Sequence, residues 1–285
     1  MTTSPIVIEA LARVAPLGVR FWDAVTRAAI GDDLIVTAYR ATQPDRRVAL
    51  TLNHSNTFVL QNVLRDQEFG AGDDDYWDAL PPARSWIIEV RDGADRFVPF
   101  LFEAAVPQRG LYQFACGSPL EFAGLVPLFS SASRALAGVG IIRADLRDAL
   151  QFDPRTQKYA PAPYAVLEAW YKGKLIGRGL ADKAGRIVVP FPYPEPINPP
   201  FTSPPGPRKA LTAQSWTIEL RAFYAPFLSP LTGESLPDLC AALRQLPATL
   251  LSALSPPTPL TQIEVAYGSA AIVKTVDRSE LLIAP

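Results

Sequence analysis

Histidine and cysteine are nearly absent from this chain. Its 285 residues include one histidine, His54, and two cysteines, Cys116 and Cys240. A Ser-His-Asp triad, a Cys-His dyad or a multi-histidine metal site would have to be built on His54. That residue stands in the sequence LNHSN, which is typical of a turn with backbone hydrogen bonds. The cysteines are far apart and in dissimilar contexts, so we expect buried, reduced thiols and no disulfide framework.

The chain also lacks an excess of either charge. It carries 27 Lys and Arg against 28 Asp and Glu, which gives a net charge of −1 and a pI near 5.9. This balance provides no basic face for nucleic acid or an anionic membrane. No apolar run approaches the roughly 18 residues of a membrane span, and Glu9 and Arg13 interrupt the one early stretch that could resemble a signal peptide. We therefore predict no nucleic-acid partner, no membrane insertion, and synthesis in the cytoplasm with release by lysis or another leaderless route.

Sequence motifs for catalysis are missing as well. The chain has no Gly-rich phosphate loop, dinucleotide fingerprint, zinc-ligand spacing or nucleophile elbow. We predict that it is not an enzyme, that it has no catalytic, cofactor-binding or metal-binding residue, and that it uses no cofactor.

Proline, in contrast, is abundant, with 29 residues. Because proline is excluded from helix interiors and central strands, this density predicts many turns, short strands and few long helices. Runs such as DLIVTAYRA, SWIIEVRD and RFVPFLFEAAV are rich in β-branched and aromatic residues and are bounded by turn residues, as the strands of a β-sandwich are. With 48% apolar and 19% charged residues, the chain has enough apolar material for compact cores.

We predict a mainly β fold with two tandem antiparallel β-sandwich domains. An N-terminal arm covers residues 1–17, the first sandwich and its connection residues 18–130, and the second sandwich residues 131–228. Residues 229–285 are expected to form a C-terminal helix and a β-hairpin. The length suits two domains of about 100 to 150 residues each.

The C-terminal prediction rests on two patterns. Ser235 precedes Pro237, and leucines recur at helical spacing from Leu239 to Leu250, so a capped helix is expected there. Pro247 should kink this helix or end its first part. Alternating apolar residues on both sides of Gly268-Ser269 predict the hairpin. The proline-dense stretch 193–209 predicts an extended surface loop, for which docking to a partner and internal packing both remain open.

An internal repeat is the most informative feature. Three strand types recur in the same order, and their spacings differ by only one or two residues between the copies. The matched positions are Ala38 with Ala169, Phe58 with Ile187, and Trp86 with Trp216. The strongest element is Ser-Trp-x-Ile-Glu-aliphatic-Arg, at residues 85–91 and 215–221. Strand alternation places each tryptophan on the face that carries the aliphatic side chains, so each should fill the core of its own sandwich.

Two resemblances follow from these residues. The segment ADKAGRIVVPFPYP, Ala181–Pro194, resembles the turn and strand of carboxypeptidase regulatory-like, or transthyretin-like, β-sandwiches. The first copy has Asn56 where that pattern has glycine, and asparagine tolerates the left-handed turn conformation. Over roughly Gly18 to Pro194, the phrases VRFWDAVT, FVLQNVLRDQEFGAGDDDYW, RFVPFLFEAAVP, VPLFSSASR and GRIVVPFPYPEP resemble proteins of phage-tail-like contractile injection systems. That resemblance implies a structural subunit, at the baseplate or another peripheral position, whose partners are other protein subunits.

The acidic run Asp73 to Asp75 supports a different hypothesis. Clustered carboxylates between the strands of a sandwich bind Ca²⁺ through oxygen ligands, and Asp66 and Glu68 could complete such a site. The alternative function is therefore a carbohydrate-binding or surface-ligand-binding β-sandwich module, with or without Ca²⁺ at Asp73 to Asp75. A solvated acidic loop explains the same residues.

Overall fold

The computed structural model of the chain describes residues 15–61, 82–108, 110–116, 124–195, 214–226 and 236–285. Short β-strands dominate these ranges, as the proline content predicts. The strands fall into two groups, which we call the first copy, β1 to β10, and the second copy, β11 to β21 with the helix α1.

The first copy contains three small sheets. Their strand orders are β5-β4-β8-β9, β1-β7-β6 and β10-β2-β3. The strands are β1 (Leu17–Val19), β2 (Phe21–Asp23), β3 (Ala28–Ile30), β4 (Leu34–Arg40), β5 (Gln43–Ala49), β6 (Thr51–Leu52), β7 (Phe58–Leu60), β8 (Arg84–Asp92), β9 (Phe100–Val106) and β10 (Val126–Leu128).

The second copy is a larger network around the path β12-β11-β21-β17-β16-β13-β14. Off this path, β15 and β20 pair with β11, β18 pairs with β17, and β19 pairs with β16. The elements are β11 (Gly140–Asp153), β12 (Lys158–Pro161), β13 (Val166–Tyr171), β14 (Lys174–Leu180), β15 (Arg186–Phe191), β16 (Ser215–Phe223), α1 (Leu239–Leu243), β17 (Pro247–Leu254), β18 (Pro257–Pro259), β19 (Gln262–Ala266), β20 (Ala270–Ile272) and β21 (Leu281–Ala284).

The two copies share one strand topology, which confirms the internal repeat. β1 pairs antiparallel with β7 and β2 pairs parallel with β10, while successive halves of β11 pair antiparallel with β15 and parallel with β21. In the other sheet, β4 lies between β5 and β8 as β13 lies between β14 and β16. β8 then pairs with β9, as β16 pairs with β19. The single long strand β11 therefore occupies the positions that β1 and β2 occupy in the first copy.

The Ser-Trp strands are β8 and β16, and each points its tryptophan inward. Trp86 is 6% exposed in the core of the first copy, and Trp216 is 3% exposed in the core of the second. The pairing with the neighbouring strand differs by two residues, because Ala38 lies opposite Ile88 whereas Ala169 lies opposite Leu220. A shift of two residues leaves every side chain on the same face of the sheet, so the buried face is apolar in both copies.

The turn before β7 and the turn before β15 match atom by atom. Asn53 Oδ1 accepts hydrogen bonds from the backbone N–H groups of Ser55 and Thr57 at 2.9 and 3.0 Å. Asp182 Oδ1 accepts the corresponding bonds in the second copy at 2.8 and 3.0 Å. Asn56 has φ +52° and Gly185 has φ +81°, so the asparagine does adopt the left-handed conformation.

The C-terminal region departs from its prediction. The helix is confined to Leu239–Leu243, with Asp238 as N-cap in place of Ser235, and from Pro247 the chain forms strand β17 and no further helical turn. β19 and β20 flank the turn at Gly268-Ser269 without pairing as a hairpin, because β19 pairs with β16 and β20 with β11. A hairpin and two strands that pair with different neighbours have the same alternation of apolar residues, so the sequence pattern does not distinguish them. These strands complete the second copy and are not an appendix to it.

The cysteine prediction is wrong. Cys116 and Cys240 form a disulfide with Cα atoms 5.1 Å apart, although 124 residues separate them in sequence. The fold brings the connection that follows β9 against α1, and no local pattern reveals that approach. The bond ties a segment of the first copy to a helix that follows β16 of the second.

Candidate functional site

The site residues singled out in the sequence are not brought together. His54 lies exposed in the turn between β6 and β7, where Asn53 and Ser55 make the backbone hydrogen bonds expected of that sequence. The acidic residues Asp66, Glu68 and Asp73 to Asp75 lie outside the described residues, as do most of the arm and of the proline-rich stretch.

Buried carboxylates in the described part of the chain all have partners. The acids are Asp23, Glu89, Asp92, Asp148 and Glu168, each at most 8% exposed. Their respective partners are Arg134, Arg47 with Arg91, Arg96, Tyr224, and Arg178. Each of these side chains is held by contacts within the chain.

Asp23 and Asp148 occupy the same position in the two copies, since each ends the parallel pairing with β10 or β21. Burial raises the pKa of Asp23, but the hydrogen bonds from Arg134, Val25 N–H and Thr26, together with the charge of Arg134, outweigh burial, and the net pKa is lowered. Asp148 instead accepts a hydrogen bond from the Tyr224 hydroxyl at 3.1 Å. Burial, together with the charge of Asp148, raises the pKa of Tyr224 above its usual range. One copy thus uses an ion pair where the other uses a neutral donor.

Exposed apolar side chains are concentrated on the second copy. Among the described large apolar residues that are exposed, Ile35 belongs to the first copy, and six belong to the second. The six are Leu150, Phe152, Leu246, Tyr267, Ile272 and Val276. Large apolar residues at the surface mark contact sites when they recur in one region.

The tip of the β11–β12 hairpin shows how this difference arises. In the first copy, Asp23 both fills the buried position and starts the turn, through bonds from Val25 N–H and Thr26 Oγ1–H at 3.0 Å. In the second copy the strand runs on past Asp148, and Asp153 starts the same kind of turn. The added strand carries Leu150, 74% exposed, and Phe152, 41% exposed.

The edge strands resist pairing with another chain. β5 has the sequence QPDRRVA and β18 the sequence PTP, while β12 begins at Lys158 and ends at Pro161. Proline removes a backbone donor, and charged side chains oppose edge-to-edge addition. Contacts through side chains are therefore favoured over strand addition at these edges.

A polar cleft of about 440 Å³ lies beside the disulfide. The start of β8 contributes Arg84 and Ser85, β9 contributes Glu103, and the segments joined by the disulfide contribute Tyr112, Asp238 and Arg244. Ser85 Oγ donates to the Glu103 carboxylate, and the Tyr112 hydroxyl donates to the Glu103 carbonyl oxygen at 3.1 Å. Asp238 caps α1 by accepting from Cys240 N–H at 3.0 Å.

The cleft excludes enough water to perturb two of its groups. Burial, with the charges of Asp238 and Glu103, raises the pKa of Tyr112 to about 12. Burial also raises the pKa of Asp238, and the neighbouring Glu103 adds to the effect while backbone hydrogen bonds and Arg244 oppose it. The acids and the tyrosine are therefore coupled across the cleft.

No pattern in the sequence indicates this cleft. Its residues come from stretches more than 100 positions apart, and Arg84 and Arg244 look like ordinary surface arginines. The two cysteines flank the site, and recognising them as a pair would have drawn attention to it.

Within the described ranges, no three His, Cys, Asp or Glu side chains lie close enough together to hold a metal ion. No helix in those ranges has the length and apolar character needed to cross a membrane. No model of a known protein family matches the chain, and no curated protein matches it significantly.

Among solved structures, the chain is similar to "shaft pilin spaA from Lactobacillus rhamnosus GG", with 8% sequence identity and a TM-score of 0.22. The comparison covers 94% of this chain and 96% of that one.

Proposed function

We propose that this chain is a non-catalytic structural subunit of a phage-tail-like contractile injection system particle, placed at the baseplate or another peripheral position. It acts through protein–protein contacts, without a cofactor. The sequence phrases described above are one support for this proposal. The concentration of exposed apolar side chains on the second copy is the structural observation that carries it.

A structural role requires that the two copies hold a fixed relation, and several contacts provide one. The core of the first copy includes Val166 and Leu180 from the second. Arg143 of β11 donates to the carbonyl oxygens of Ala132 and Arg134 in the connection between the copies. The Cys116–Cys240 bond adds a covalent tie. Such a unit transmits position from one partner to the next.

The disulfide also bears on where the protein works. Disulfides persist in oxidising surroundings and are rare in the cytoplasm. A subunit that is made in the cytoplasm and released with its particle on lysis would meet such surroundings afterwards. The bond therefore supports a role outside the producing cell.

The test is an inventory of particles from the producing strain. Mass spectrometry of purified particles should detect this chain in fixed proportion to the other subunits. The Leu150→Ser/Phe152→Ser double variant should be lost from particles while remaining folded, and Ile35→Ser, which changes an exposed apolar residue of the first copy, should still be incorporated.

Two results would reject the proposal. One is that the chain is missing from intact particles. The other is that the isolated protein is a stable monomer that turns over a substrate, or that gains thermal stability with neutral glycans only when Ca²⁺ is present, as the Ca²⁺-dependent form of the alternative ligand-binding function requires.

A further inference from the structure

The cleft beside the disulfide holds two acids and two arginines, and the two kinds of charge are used differently. Glu103 is engaged by Ser85, and Asp238 is engaged by the first turn of α1. Arg84 and Arg244 are exposed, and within the described part of the chain neither guanidinium group forms an ion pair or a hydrogen bond. The unused hydrogen-bonding capacity of the cleft is therefore mostly that of guanidinium donors.

A guanidinium group presents planar, charged donors that match the two oxygens of a carboxylate or phosphate. Elsewhere in this protein, arginines beside acids form direct pairs, as Arg134 does with Asp23 at 2.7 Å. Arg244 influences Asp238 through its charge without forming such a pair. Both cleft arginines thus stay available to an external anion.

We propose that this cleft is a binding site for a compact organic anion, whose carboxylate or phosphate group is held between Arg84 and Arg244. The volume of about 440 Å³ falls within the range of small-molecule sites and accommodates a ligand of sugar size. The acids and Tyr112 offer oxygen atoms to the hydroxyl groups of such a ligand. This inference is independent of the proposed role in a particle.

Rigidity supports the assignment. Tyr112 lies four residues before Cys116, and Arg244 lies four residues after Cys240, so the disulfide fixes the segments that carry both side chains. Binding to a fixed site loses less conformational entropy than binding to a mobile one.

The test is isothermal titration of the full-length, oxidised protein with three probes of similar size. Glucuronate carries a carboxylate, glucose 6-phosphate carries a phosphate, and glucose carries neither. At least one anion should bind saturably with one site per chain, weaken as salt is added, and identify which group the cleft prefers. Glucose should not bind measurably.

Variants locate the site. Arg84→Gln and Arg244→Gln should each weaken anion binding by about tenfold, the worth of a charge-assisted hydrogen bond. Arg46→Gln is the matched control, because Arg46 is exposed on β5 away from the cleft. Circular dichroism and melting temperature should be nearly unchanged in all three, since among the described residues none of these guanidinium groups forms an ion pair or a hydrogen bond.

The proposal is overturned if neither anion binds, if glucose binds as well as the anions do, or if the Arg84→Gln/Arg244→Gln double variant retains wild-type affinity. Failure here would leave the particle assignment standing, because incorporation into particles is measured separately.

Discussion

The two copies share a strand topology, yet they use equivalent positions differently. The first copy joins Asp23 to Arg134 by an ion pair, while the second joins Asp148 to a neutral tyrosine. The first ends its strand at that buried acid, while the second runs on to an exposed hairpin. The two copies therefore have the same strand order, and they differ in the exposed hairpin tip that the second copy adds.

The largest expected effect separates the two buried acids. Arg134→Met leaves the Asp23 carboxylate buried without its cation, and we expect a loss of about 3 to 5 kcal/mol in the free energy of unfolding. Tyr224→Phe removes one hydrogen bond from a neutral hydroxyl to Asp148, which keeps its bonds from Leu150 N–H and Gln151, and should cost less, about 1.5 to 3 kcal/mol. Urea unfolding followed by circular dichroism measures both. Equal losses would contradict the distinction.

Acid should narrow the gap between wild type and Arg134→Met. The folded pKa of Asp23 is lowered, so the ion pair contributes fully above the ordinary carboxyl pKa of about 4 and is lost as the pH falls through the folded value. In the variant, protonation instead relieves an unpaired buried charge. The unfolding curves of wild type and variant should therefore be well separated at pH 7 and should converge as the pH falls below about 4.

The disulfide joins the copies and should rank next. The Cys116→Ser/Cys240→Ser double variant is expected to lose about 2 to 4 kcal/mol of unfolding free energy. Dithiothreitol should lower the stability of the wild-type protein by a similar amount and leave the double variant unchanged. Titration of two free thiols in unreduced, denatured protein would show that the bond is absent.

The residues at the left-handed position of the two matched turns, Asn56 and Gly185, are not interchangeable. Exchanging them should change the free energy of unfolding less than loss of the disulfide does. A Cβ atom at Gly185 would lie 2.3 Å from the Leu146 carbonyl oxygen, so Gly185→Asn should cost about 1 to 3 kcal/mol. Asn56→Gly keeps a residue suited to positive φ and should change stability by less than about 0.5 kcal/mol. Thermal unfolding of both variants measures this difference. A tolerated asparagine at 185 would mean that the two turns have equal room.

Features that repeat within the sequence could be predicted from it. The Ser-Trp strands and the left-handed turn at Asn56 follow from side-chain alternation and from the conformations that each residue tolerates. Both are local properties, and the second copy acts as an independent check on the first.

Features that depend on which strands meet could not be predicted. Alternating residues around Gly268-Ser269 fit a hairpin as well as two strands in different pairings, and only the neighbours β16 and β11 decide between them. The leucines of 239–250 fit a helix until Pro247 starts β17. The disulfide and the arginine cleft likewise depend on contacts between residues distant in sequence.

The smallest expected effect on stability concerns the added hairpin tip. Leu150 and Phe152 are exposed, although Phe152 contacts the ring of Tyr159 at 4.9 Å between centroids. Replacing both by serine should change the free energy of unfolding by about 0.5 kcal/mol or less, since surface substitutions rarely do more. Chemical denaturation measures this change.

The Leu150→Ser/Phe152→Ser double variant should weaken association with other proteins much more than it changes stability. Sedimentation velocity at increasing concentration should show weaker self-association or weaker binding to particle proteins than wild type. Ile35→Ser serves as the control in the first copy, because Ile35 is 56% exposed but stands apart from the group on the second copy. If both variants reduce association equally, the contact surface is not particular to the second copy. If the serine pair instead unfolds the protein, the hairpin tip is part of the core and the contrast between the copies lies elsewhere.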